Sequence, residues 1–330
     1  MIKNTWQGDH LQNKMEKQPS YNNEAIIKIL SKVCNHFKDG LFENAIELLE
    51  RALKIDFEYN GVTSALKCAT FWKERKERLL NIAENYEKAE FLMDQWELFS
   101  KFLCQIGETS ERCLYNLKQH VFGTALKNYH MLKEASGLYD IDVLVKIGRC
   151  YKTLGNFDKA IEYLSIANQQ KNRSPEILAQ LADCYSLINE IRISKLFFRE
   201  AFFLGPKKIN LVSLDAGMIA KLIIEIKKLG IPDDLLNYWI PVYGTIFGVF
   251  TIKRELRPLE FGKLKQAIYN LEKKLREGRD NQTGNVPILI NHYFWLIDHY
   301  ISAKEDKSKI EEVLSKIKEI DIRIYNEYIQ

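Results

Sequence analysis

The sequence predicts an all-α protein in which helical hairpins repeat along the chain. Two observations predict this fold class. First, two adjacent segments of 34 residues, Ile141–Ser174 and Pro175–Lys208, carry apolar and small residues at the same offsets. Second, the chain of 330 residues has only 7 prolines and 16 glycines, which suits helices joined by short turns better than arrays of β-hairpins.

The shared offsets of the two segments form one pattern. In the first segment they hold Leu144, Ile147, Gly148, Tyr151, Gly155, Phe157, Ala160, Leu164 and Ala167. In the second they hold Leu178, Leu181, Ala182, Tyr185, Asn189, Ile191, Ser194, Phe198 and Ala201, and Pro206 closes the unit. The pattern resembles the tetratricopeptide repeat, written W-x2-L-G-x2-Y, then A-x3-F, then P. The resemblance implies a right-handed superhelical solenoid of helix-turn-helix units.

The pattern makes physical sense as two closely packed helices. Gly155 and Asn189 stand where the chain must reverse, and both residue types tolerate a positive φ better than most. Gly148 has no side chain where the first helix meets the second, and Ala160 stands opposite with a small one. We therefore expect Ala160 to face Gly148 between the two helices of its unit.

A third copy of the pattern lies near the N-terminus, where Gly40–Ala52 matches Gly155–Ala167 at seven of thirteen positions. The sequence thus predicts a polar, disordered arm at 1–20, repeats that resemble tetratricopeptide units at 21–208, and degenerate helical hairpins at 209–330 that continue and cap the solenoid. The repeats are clearest at 27–59, 141–174 and 175–208. Further helical material is predicted at Phe71–Leu103, Asn210–Lys228, Leu259–Arg276, Ile288–Ile301 and Lys307–Tyr328.

Catalytic motifs are absent from the sequence. It has no phosphate-binding loop, no nucleophile elbow and no HExxH zinc motif. His292 and His299 share one face of a predicted helix, but two turns place them about 10 Å apart, too far to share one zinc ion without other ligands. The aromatic stretch His292–Tyr300 is interpreted as the buried face of a helix. We therefore predict no catalytic residue, no cofactor and no metal, and no small-molecule substrate.

The six cysteines are Cys34, Cys68, Cys104, Cys113, Cys150 and Cys184. None forms a CxxC pair, and the chain lacks the N-terminal apolar run of a secretory signal. We expect all six to be small core residues rather than a disulfide framework, because free cysteine is among the most buried residue types.

The uncharged stretch Leu235–Ile252 is long enough to be tested as a membrane span. Asn237, the mid-run Pro241 and two glycines are unfavourable in lipid, so a buried helix-turn-helix is the favoured interpretation. The chain is accordingly expected to be cytoplasmic. A net charge of only +4 gives little support to nucleic-acid binding, and the basic residues at 253–265 are interspersed with glutamates.

The resemblance implies that the first helix of each unit lines a concave groove for a partner protein. By register the lining residues are Lys28, Lys32, Asn35, Lys146, Arg149, Gln180 and Asp183. Val145 and Ala179 stand where a clamp for a chaperone C-terminus would need polar groups, so the sequence departs from that subclass. The expected function is a non-catalytic scaffold or adaptor whose partner carries acidic and apolar residues. The alternative is a helical-repeat regulator associated with nucleic acid or with a separate enzyme.

Overall fold

The computed structural model describes residues 21–106, 110–136, 140–278 and 284–330. Within these ranges all regular secondary structure is helical and no strand occurs, so the predicted all-α helical-repeat fold is confirmed. The predicted arm at 1–20 lies outside the described residues, and the right-handed superhelix of the whole chain stays a prediction. The chain divides into two compact units, Met1–Ala135 (unit 1) and Ser136–Gln330 (unit 2).

Fifteen α-helices are present in the described ranges. The first five are α1 (Tyr21–Asp39), α2 (Phe42–Ile55), α3 (Asn60–Leu80), α4 (Asn85–Ile106) and α5 (Glu111–Ser136). The next six are α6 (Ile141–Thr153), α7 (Phe157–Gln170), α8 (Pro175–Leu187), α9 (Ile191–Leu204), α10 (Gly217–Lys228) and α11 (Leu236–Ile246). The last four are α12 (Pro258–Arg276), α13 (Asn285–Ser302), α14 (Lys307–Ile320) and α15 (Ile322–Ile329).

Each of the three predicted units is a helical hairpin, and the turns of the three hairpins have the same conformation. Gly40 follows α1, Gly155 follows α6 and Asn189 follows α8, with φ of 69°, 80° and 64°. In each turn the residue after the one with positive φ donates its amide to a carbonyl five residues earlier in the chain. These bonds are Leu41 N to His36 O at 2.9 Å, Asn156 N to Tyr151 O at 2.9 Å and Glu190 N to Tyr185 O at 2.8 Å. This is the Schellman arrangement, which satisfies carbonyls left over at a helix end. The expected positive φ at Gly155 and Asn189 is confirmed.

The same turn recurs between α13 and α14, where sequence reasoning did not find it. Lys304 has φ of 54°, and Glu305 N donates to Tyr300 O at 2.9 Å. Counting back from this turn, Tyr293 and Tyr300 occupy the offsets held by Leu144 and Tyr151 in the first clear unit. The helix pair itself was predicted, but its repeat register was not, because a lysine replaces the usual glycine or asparagine at the turn.

Close contact between α6 and α7 depends on Gly148. A Cβ at this position would lie 2.6 Å from Leu164 Cγ and 3.4 Å from the carbonyl oxygen of Ala160. Ala160 and Leu164 are themselves fully buried. The expected opposition of Gly148 and Ala160 is confirmed, and the small residues let the two backbones approach each other.

Three sequence predictions about helix boundaries were wrong or incomplete. Asn210–Lys228 is not one helix, because residues 211–213 form a short 3-10 turn and α10 begins only at Gly217. Lys307–Tyr328 is interrupted at Asp321, whose carboxylate accepts from Arg323 N at 2.9 Å and so caps a new helix. Leu235–Ile252 forms α11 and then a turn, without a second helix. No helix in the described ranges is long and apolar enough to cross a membrane.

Helix α13 is the buried centre of the C-terminal half of unit 2. Residues 293–299 are all buried, which confirms that His292–Tyr300 is a packing surface. His292 is largely enclosed, and burial lowers its pKa to about 4 although Nδ1 contacts Ile288 O at 2.7 Å. Phe203 of α9 lies against both His292 and Trp295, with ring centroids 5.2 and 4.2 Å away.

Unit 1 contains a disulfide that the sequence did not predict. Cys34 of α1 and Cys113 of α5 are bonded across 79 residues, with Cα atoms 4.5 Å apart. Asn116 of α5 donates its amide to Cys34 O at 2.7 Å, so a buried hydrogen bond joins the same helices. The expectation of six unpaired cysteines was wrong for this pair, because spacing cannot show that α5 returns to α1. Cys68, Cys150 and Cys184 are buried as expected, whereas Cys104 is exposed.

The first prediction concerns packing. Ala160→Leu should lower the free energy of unfolding by about 1–3 kcal/mol, because three added carbon atoms have no space between α6 and α7. The matched control is Ala220→Leu on the exposed face of α10. Urea denaturation of both variants measures the effect. Equal midpoints for the two variants would show that Ala160 is not at a helix contact.

The second prediction concerns thiol reactivity. In the native protein iodoacetamide should modify Cys104 alone, because burial raises the pKa of the Cys184 thiol to about 12 and Cys68 and Cys150 are also buried. Unfolding should raise the number of modified cysteines to four, and reduction should raise it to six. Peptide mapping by mass spectrometry assigns the sites. Six reactive thiols in unreduced, unfolded protein would exclude the disulfide.

Candidate protein-binding surface on the repeat helices

The predicted groove residues of unit 1 lie on α1. Lys28, Lys32 and Asn35 are all exposed to solvent. They follow one another at intervals of four and three residues, so they project from one side of the helix. Their positions fit the expectation that this side of α1 can meet a partner.

In unit 2 the predicted lining residues of α6 are half-buried. Lys146 Nζ lies 2.7 Å from Asp142 Oδ2, one helical turn earlier. Arg149 is one turn further on, and no ion pair to its guanidinium is found in the described part of the chain. The pairing with Asp142 reduces the net positive charge of this face, which therefore has mixed polarity.

The predicted lining residues of α8 are not accessible. Gln180 is 6% exposed and Asp183 is fully buried. The ammonium group of Lys152, from α6, lies 2.6 Å from Asp183 Oδ2 and 2.9 Å from Gln180 Oε1. It also donates to the carbonyl of Ser213 at 2.6 Å. Lys152 is only 5% exposed, so these three acceptors from the protein replace water around the ammonium group.

The second oxygen of Asp183 holds the start of α10. Asp183 Oδ1 accepts from Asp215 N at 2.9 Å and from Ala216 N at 2.7 Å. Gln180 Nε2 donates to Ser213 Oγ at 2.8 Å. A carboxylate at a helix N-terminus satisfies free amides and interacts favourably with the helix dipole.

The segment 209–216 therefore covers the face of α8 that was expected to bind a partner. The assignment of Gln180 and Asp183 to an open groove was wrong, because their polar groups bind this segment of the same chain. A signal was present in the sequence. Lys152 and Asp183 are oppositely charged residues on the first helices of consecutive units.

Two basic residues that follow α11, Lys253 and Arg254, form ion pairs with acidic residues of the same chain. Arg254 forms ion pairs with Glu200 at 3.1 Å and with Glu260 at 2.8 Å, and Arg173 contacts both glutamates. Hydrogen bonding by Arg254 lowers the pKa of Glu260 to about 2. Lys253 Nζ lies 2.7 Å from Asp298 Oδ1. These partly buried pairs link α9 and α12 to the loop between α11 and α12, and they reduce the positive charge that Lys253 and Arg254 offer to a phosphate backbone.

The hairpin pattern, the shared left-handed turn and the close contact at Gly148 define a class of helical-repeat protein. A family model described as the tetratricopeptide repeat matches residues 141–165, which cover α6, its turn and the first part of α7. This match supports the resemblance of the chain to tetratricopeptide-repeat proteins. Comparison with curated proteins gives no match. Tetratricopeptide repeats are generally protein–protein interaction modules without catalytic activity.

The third prediction tests the buried ion pair. Asp183→Ala should destabilise the protein by about 3–5 kcal/mol, because it leaves the Lys152 ammonium group buried without a counter-charge. The matched control is Asp215→Ala, whose side chain is 65% exposed and lies 3.8 Å from Lys152 Nζ. The control should cost less than about 1 kcal/mol. Similar losses for both variants in urea denaturation would contradict this account of the network.

Proposed function

We propose that this protein is a cytoplasmic scaffold or adaptor that catalyses no reaction and binds a segment of a partner protein on the first helices of its repeats. The observation that carries the proposal is the cationic face of α6, formed by Lys146 and Arg149. It belongs to the unit that the family model matches. The covering segment 209–216 hydrogen-bonds Lys152 and residues of α8, and no bond in the described ranges joins it to Arg149.

The preferred partner segment carries both carboxylates and apolar side chains. Arg149 supplies a guanidinium that has no ion pair within the described ranges, and a guanidinium binds carboxylates well because it offers several donors in a fixed plane. Lys146 shares its charge with Asp142, so a purely acidic ligand would meet repulsion from that carboxylate. In unit 1 the exposed Lys28, Lys32 and Asn35 offer similar chemistry. Nucleic acid is a less favoured partner, since ion pairs neutralise Lys253 and Arg254 of the basic run after α11 and the net charge of the chain is only +4.

The fourth prediction tests this surface. Reversing two charges, in Lys146→Glu with Arg149→Glu, should abolish capture of the main partners in a pull-down from the native cell. The control pair is Lys263→Glu with Lys274→Glu on the exposed side of α12. Because Lys146 and Arg149 are half-buried, circular dichroism and urea denaturation check that both variants keep the helicity and stability of the wild type. Identical partners for wild type and the α6 variant, by quantitative mass spectrometry, would place binding elsewhere.

A further inference from the structure

A cleft opens beside α10, away from the residues discussed above. It has a volume of about 360 Å³ and is lined by Met218, Lys221, Leu222, Glu225, Phe247 and Val249. The α10 residues follow the i, i+3, i+4, i+7 spacing of a single helix face. Four of the six lining side chains are apolar, and the two charged ones are exposed at the rim.

The turn after α11 fixes the shape of this cleft. Phe250 N donates to Gly244 O at 2.7 Å, and Gly248 has φ of 70°. The Phe250 ring packs directly on Gly244, where a Cβ would lie 2.5 Å from its Cδ2 atom. Phe250 is consequently buried, whereas Phe247 on the other side of the turn stays 45% exposed. The cleft is therefore preformed by backbone geometry and a close ring contact.

The rim of the cleft carries an unbalanced positive charge. Glu225 Oε1 lies 2.8 Å from Lys228 Nζ, so these two charges neutralise each other. Lys221 has no ion pair within the described ranges, and it lines the cleft one helical turn before Glu225. A ligand that fills the cleft would bring its neighbouring groups close to the Lys221 ammonium group.

We infer that this cleft docks a segment of a partner protein that places a large apolar side chain against Phe247 and a carboxylate beside Lys221. The surface is separate from the α6 face of the proposed function and adds a second contact with a different requirement. A preformed apolar recess with few polar groups is the usual form of a side-chain pocket at an interface. A membrane surface fits less well, because binding to lipid favours apolar groups that protrude between cationic residues.

The proposed docking site explains why the stretch Leu235–Ile252 stays apolar over its whole length. Leu236, Ile240, Val242 and Phe250 fill the core of unit 2, but Phe247 and Val249 form the outer wall of the cleft. One side of the Phe247 ring packs against Tyr243, with ring centroids 5.5 Å apart, and 45% of the residue stays exposed. Contiguous exposed apolar surface usually marks an interaction site.

The experiment is a selection from a displayed library of random 12-residue peptides on the full chain, with counter-selection on the Phe247→Ala variant. The enriched peptides should share Leu, Phe, Trp or Met with an Asp or Glu within four residues of it. No enrichment, or enriched peptides without an acidic residue, would overturn the inference.

Fluorescence polarisation with one labelled, enriched peptide then measures its affinity for each variant. The affinities show whether the peptide binds at the cleft or at the α6 face. Phe247→Ala should weaken binding at least about tenfold, as for a central interface residue, and Lys221→Glu about threefold. Leu259→Ala, at a residue 71% exposed on α12, is the matched control and should bind as wild type. The variant Lys146→Glu with Arg149→Glu should also bind as wild type; loss of binding there would show that the selection had found the α6 face.

A vesicle assay distinguishes the membrane alternative. Vesicles of phosphatidylcholine with phosphatidylserine should not co-sediment the chain. Co-sedimentation that is lost in Phe247→Ala would overturn the inference by showing that Phe247 contacts lipid. This outcome leaves the proposed function of the α6 face untouched.

Discussion

The buried ion pair between Lys152 and Asp183 holds the point where the regular repeats meet the C-terminal helices. Two charges removed from water are tolerated only when their hydrogen-bonding capacity is filled. Here Gln180 and the Ser213 carbonyl complete the shell of the ammonium group, and two backbone amides before α10 complete that of the carboxylate. The position of α10 therefore depends on residues from α6 and α8, and so does the cleft that one face of α10 lines.

Within the described residues, charge in unit 2 serves chiefly to join elements. Glu200 of α9 and Glu260 of α12 share Arg173 and Arg254, and Arg199 contacts Asp298 of α13. Such networks add specificity to an interface made mostly of apolar side chains. The charged side chains in these networks are already paired within the chain and are not available to a partner. The cations offered to a partner are those outside the networks, of which Arg149 and Lys221 are the clearest.

The sequence predicted the hairpins well because their constraints are local. Gly155 and Asn189 could be placed at turns, and Gly148 opposite Ala160, from residue size and backbone freedom alone. Apart from helix boundaries, such as the cap at Asp321, the failures were non-local. Nothing near Cys34 shows that Cys113 returns to it, and nothing near Asp183 shows that residues 213–216 cover it. The prediction of the candidate binding site was the least accurate. The repeat register predicts which side of a helix a residue lies on, but it does not predict which other segment covers that side.

The segment that covers α8 changes how recognition by this chain should be understood. A register taken from the family treats every first helix as equally available, yet the α8 face is bound by the chain's own backbone through Gln180 and Asp183. A partner would have to replace several buried hydrogen bonds there, each costly to leave unmade. Surfaces that require no such exchange are favoured. The cleft at Phe247 meets that condition, whereas Lys146 of the α6 face is already paired with Asp142. The two surfaces also differ in chemistry, since the cleft is chiefly apolar and the α6 face chiefly polar. A partner that satisfied both would be selected by two independent requirements, which gives more specificity than either surface alone.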